Sequence, residues 1–153
     1  MELTPEMIEK MRAIGLRLDR AGTFWQEAAP VTHVRLRRAL LRWLDVRDDG
    51  RDIVRLDDKR YAYVDVEDAH LRATSARWDS DRCFVRWDDD EELELDYGSL
   101  RQAPDHALYC HVRKLRGRIA GPAYHAVAER IVEVAGGFEL AAAGKRWPIL
   151  DAA

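Results

Sequence analysis

Only two cysteines, Cys83 and Cys110, occur in the 153 residues. That is too few for a disulfide framework and points to a reducing compartment. No apolar run approaches the roughly 18 residues that a membrane-spanning helix needs. The opening MELTPEMIEKMRAIG mixes charge through its apolar residues and does not read as a signal peptide. Neither sign of charge is in excess: 25 Lys and Arg stand against 28 Asp and Glu, a net charge of −3. Such a balance supplies no global field for nucleic acid or an anionic membrane. There is no P-loop, dinucleotide fingerprint, Gly-x-Ser-x-Gly or His-Glu-x-x-His, and so no motif-borne catalytic chemistry. The acidic runs, Asp45/Asp48/Asp49 and Asp88 to Glu92, lack the alternating ligands and glycine of a calcium loop and read as solvated turns. These absences predict a cytoplasmic protein with no membrane association, no metal and no cofactor.

The composition that remains is globular, with 47% hydrophobic and 35% charged residues. The length falls within the roughly 100 to 200 residues of one domain, so a single compact domain over residues 1–153 is expected. Thr4 as N-cap, Pro5 at the first helical position and Gly15 as terminator predict a short amphipathic N-terminal helix with Met7, Ile8, Met11 and Ile14 on one stripe. Leu16 and Leu18 alternate with polar residues as a strand does, and Phe24-Trp25 follows a turn at Ala21-Gly22. After Pro30, Thr32 is positioned to cap a helix from His33 to about Asp45. Its Leu36, Leu40, Trp43 and Leu44 fall opposite Arg35, Arg38 and Arg42. Hairpins or strands follow over 52–66, 71–78, 82–87 and 91–95, then 108–112 with 118–120. A second helix is expected over 123–135, closed by Gly136-Gly137, and a last hairpin over 138–150.

The order of hairpin, helix and hairpin occurs twice. A shift of 92 residues places Leu16 on Leu108, Pro30 on Pro122 and His33 on His125, and a shift of 86 places Lys59-Arg60-Tyr61 on Lys145-Arg146-Trp147. The expected fold class is therefore α+β: two pseudo-repeated units of antiparallel strands plus one helix, about 16–66 and 108–150, with intervening strands over 71–96 and the N-terminal helix.

Residues Gly22-Thr23-Phe24-Trp25-Gln26-Glu27-Ala28-Ala29-Pro30-Val31-Thr32-His33, with Val66-Glu67-Asp68-Ala69 further on, resemble the motifs of a family of bacterial proteins known only as a domain of unknown function. The resemblance spans most of residues 16 to 75. Family members commonly carry His at the position of Gln26, Gly at that of Ala28 and Pro at that of His70. It implies an α+β fold of tandem motifs and a signalling or binding role without an established reaction.

Three functions compete on the residues themselves. The leading expectation is a non-enzymatic binding or signalling-adaptor module for a protein or small ligand, with a homodimer left open. Its ligand site would gather Gln26, Glu27, His33, Glu67 and Asp68. Exposed amides at a helix start attract anionic groups, and the corner Pro30 to His33 brings an imidazole there. The alternative is a hydrolase using His33 with Glu67 and Asp68; against it, His33 and those carboxylates equally suit hydrogen-bonded corners. The third is nucleic-acid binding through Arg35, Arg38 and Arg42, opposed by the acidic total.

Overall fold

The computed structural model describes Pro5 and residues 12–152, and the chain divides into two compact units, residues 1–70 and 71–153. The predicted N-terminal helix lies almost wholly outside the described residues. Among them are fifteen strands and two short helices, arranged as two mixed sheets. The described residues are thus mostly β, which corrects the expected α+β class.

In the first unit, β1 (Leu16–Leu18), β2 (Phe24–Gln26) and β3 (Ala29–Pro30) form a meander that leads into helix α1 (Val34–Trp43). A second meander, β4 (Leu44–Val46), β5 (Asp52–Arg55) and β6 (Tyr61–Val66), follows it. Parallel pairing of β1 with β6 joins the two meanders into one sheet ordered β3-β2-β1-β6-β5-β4. The first turn is built by Asp19, whose carboxylate accepts from Thr23 N at 2.8 Å and Trp25 Nε1 at 2.9 Å. Gly22 there holds a φ of 93°, which costs a residue without Cβ little. Helix α1 packs on β5 and buries Leu40 and Leu41, while Leu36 stays 45% exposed. The buried stripe is rotated from the predicted one, and Trp43 is only partly buried. The helix stops at Trp43 rather than near Asp45 because Leu44-Asp45-Val46 turns extended to pair with β5.

The second unit begins with β7 (Leu71–Asp79), β8 (Arg82–Trp87) and β9 (Glu92–Glu94), followed by a 3-10 turn at Tyr97–Ser99. Then come β10 (Arg101–Gln102), β11 (Leu108–Val112), β12 (Leu115–Ile119), helix α2 (Gly121–Ala128), β13 (Ile131–Val134), β14 (Gly137–Ala142) and β15 (Lys145–Asp151). The sheet order is β13-β14-β15-β10-β11-β12-β7-β8-β9, with β10/β15 and β12/β7 parallel. Helix α2 is shorter than predicted because Ile131-Val132-Glu133-Val134 pairs with β14 instead, a β-branched run better suited to a pleated surface. No helix among the described residues is long and apolar enough to cross a membrane.

The order β12-β11-β10-β15-β14-β13 retraces β3-β2-β1-β6-β5-β4. Strand β10 takes the place of β1, so Leu108 in β11 stands one strand further out than Leu16 does. Likewise Pro30 lies in β3, whereas Pro122 is the second residue of α2.

Candidate functional site

Strand β6 changes partner half-way. Tyr61, Ala62 and Tyr63 pair antiparallel with β5, and Val64, Asp65 and Val66 pair parallel with β1. The β5 ladder ends at Ile53 opposite Tyr63, so among the described residues no strand pairs with β6 on its β5 side beyond that point. A strand edge left open presents backbone groups that must find water or a ligand. Between Gly50–Asp52 and Val64–Glu67 the parting leaves an open cleft of about 480 Å³, lined by Gly50, Arg51, Asp52, Tyr63, Val64, Asp65, Val66 and Glu67.

The polar side chains of this cleft are held from behind. His70, 4% exposed, places Nε2 2.7 Å from Asp52 Oδ1 and so orients the Asp52 carboxylate. Arg51 lies over the Tyr63 ring at 3.4 Å from its centroid, and Arg47 Nη1 donates to the Tyr63 hydroxyl at 2.5 Å. Tyr61 meets Tyr63 edge to face at 5.9 Å, as their shared strand face predicts. Glu67 accepts from Arg17 Nη1 at 2.5 Å and from Arg20 N at 3.1 Å. Asp65 is exposed and has no ion-pair partner among the described residues. The cleft therefore offers one open carboxylate, two carboxylates positioned by neighbours, a stacked guanidinium and an aromatic ring. That set can hold a polar ligand with hydrogen-bond donors.

The residues singled out from sequence occupy different places. Glu67 lines the cleft. Gln26 ends β2 and pairs with Leu16 and Ala29, and Glu27 forms the β2–β3 turn at a φ of 53°, its N–H donating to Gly15 O at 2.9 Å. His33, rather than Thr32, is the N-cap of α1, its Nδ1 accepting from Leu36 N at 3.2 Å. Asp68 follows Glu67 in the segment after β6 and is exposed no more than partly. Arg35, Arg38 and Arg42 are exposed along α1. Sequence reading missed Arg51, Asp52, Tyr63, Asp65 and His70. A signal did exist for two of them, since Tyr61, Tyr63, Asp65 and Glu67 alternate with apolar residues along one strand. The pairing of Asp52 with His70, 18 residues apart, leaves no local trace.

Two solved structures share this fold. A DUF1285 family protein from Silicibacter pomeroyi DSS-3 matches with a TM-score of 0.75, covering 91% of this chain and 81% of its own at 19% identity. Another from Shewanella baltica OS155 matches with a TM-score of 0.60, covering 72% of this chain and 87% of its own at 16% identity. No family model and no curated protein matches the chain. At such identities the likeness is one of fold, and these structural neighbours are proteins of a domain family of unknown function.

Proposed function

We propose that the protein is a non-catalytic binding module whose ligand, a small polar molecule or a protein segment, seats in the cleft beside β6. The observation that carries this reading is the change of partner along β6, which leaves a strand edge open and ringed by Asp52, Asp65, Glu67, Tyr63 and Arg51. Less favoured is the hydrolase reading with His33, Glu67 and Asp68, since the His33 Nδ1 lone pair accepts from the Leu36 amide and Glu67 is engaged by Arg17 and the Arg20 amide. The test is a fragment screen of amines, amino acids and short peptides followed by amide chemical-shift mapping. Shifts should cluster at residues 50–52 and 64–67. Asp65→Asn should weaken those hits by about tenfold, the worth of a hydrogen bond to a charged group, with stability unchanged within about 0.5 kcal/mol. Shifts centred elsewhere, or hits indifferent to Asp65→Asn, would contradict the assignment.

A further inference from the structure

Helix α1 carries side chains that no described residue pairs with. Residues 28–44 contain four arginines and one histidine but no carboxylate. Elsewhere among the described residues at least eleven arginines form ion pairs with Asp or Glu. Among the described residues the side chains of Arg35 and Arg42 have neither an ion pair nor a hydrogen bond. Arg35 also stands in the first turn, where the helix dipole disfavours a cation, and no acidic residue in that turn offsets it. The helix is less stable for keeping Arg35 there, and no carboxylate among the described residues pairs with it.

The apolar neighbours of these arginines are arranged for packing. Leu40 and Leu41 face the core. Beside them Leu36, Ala39 and Trp43 form a second stripe at i, i+3 and i+7. Leu36 is 45% exposed, while Ala39 and Trp43 are partly exposed. Leu36, Ala39, Leu40 and Trp43 have the spacing of a hole that receives a side chain from a facing helix. In heptad terms Leu36 and Trp43 occupy a positions, Ala39 a d position, and Arg35 and Arg42 the g positions that choose a partner by charge. Thus the two arginines that lack partners are those that flank the apolar seam.

We propose that this face docks an amphipathic α-helix of a partner protein, one whose apolar seam is bordered by aspartate or glutamate. Charge complementarity selects this occupant. A polyphosphate would leave the Leu36–Ala39–Trp43 seam uncovered. A bilayer needs a broad apolar face, and that of α1 is committed to the core.

The probe is a fluorescein-labelled peptide of three heptads, leucine at a and d and glutamate at e and g, titrated with the full chain and read by anisotropy. The parent should bind it and ignore the counterpart with lysine at e and g. R35E/R42E should bind it about tenfold more weakly or worse and gain the lysine peptide, since reversing a charge pair converts attraction to repulsion. The same variant should melt close to the parent's temperature, because glutamate suits the first turn at position 35 and disfavours the last turn at position 42. Ala39→Gln, which fills the seam without changing charge, should also weaken the glutamate peptide. The proposal is overturned if the parent ignores the peptide, if R35E/R42E binds it as the parent does, or if Ala39→Gln has no effect. Arginine-dependent binding confined to labelled oligothymidylate or to phosphatidylglycerol vesicles would overturn it too.

Discussion

Glu94 joins three elements through one carboxylate. It accepts from Arg82 Nε at 3.0 Å and Nη2 at 2.9 Å, and from the Tyr97 hydroxyl at 2.7 Å, while that hydroxyl accepts from Cys83 N at 2.9 Å. The bidentate Arg82 contact above all, then the Tyr97 hydroxyl, lowers the Glu94 carboxyl from 4.5 to about 2. Because the folded value lies below the unfolded one, this contribution to stability is complete above the unfolded value. It fades as pH falls toward about 2. Thermal melts across that window should therefore fall less steeply for Glu94→Gln than for the parent, and parallel profiles would show that the network carries no acid-sensitive stability. Sequence reading could not see this cluster, whose members lie on β8, β9 and the turn after them. It did mark His33 and Glu67 and allowed each a hydrogen-bonded corner role, but the partners are visible only in the fold. One caps a helix, and the other clamps the β1–β2 turn through Arg17 and the Arg20 amide.

The elements were legible where local chemistry decides them. Hairpins announced by Asp-Ser-Asp and Ala-Gly turns are in place, as is a helix behind Pro30 and another behind Ala120. Their ends were not, since Leu44–Val46 and Ile131–Val134 are drawn out of helix by pairing with strands that follow later in the chain. Likewise nothing local shows why β12 carries a glycine. A Cβ at Gly117 would fall 2.7 Å from Val112 Cγ2 and closer still to the buried Trp87 ring. Gly117→Ala should therefore cost about 1–3 kcal/mol by overpacking, despite the better strand propensity of alanine. A urea melt giving the variant the parent's stability would mean that Trp87 shifts freely and the close approach has no energetic role.

At the scale of the molecule, two sheets share one plan: three strands, a helix, three strands, with the first and last strand paired parallel. We propose that residues 16–66 and 101–151 descend from one duplicated unit. A superposition that set the two helices on opposite faces of their sheets would sink that idea. The 86-residue shift read from Lys59-Arg60-Tyr61 is the one that carries Val64 onto Leu150, which stand opposite Leu16 of β1 and Arg101 of β10 in the two parallel pairings. The 92-residue shift instead carries β1 onto β11. In the first unit the plan opens at β6, and on that opening the functional account rests. Glu67 N–H donates to Leu18 O at 3.0 Å on the β1 side, so alternation turns the Val66 amide toward the cleft, where β5 no longer pairs. Residue-resolved hydrogen exchange on the free protein tests this directly. The account predicts fast exchange at Val66 beside a protected Glu67 amide, with Val66 slowing when a cleft ligand binds. Protection of Val66 equal to that of Glu67 in the free protein would contradict it, because the edge would then be closed.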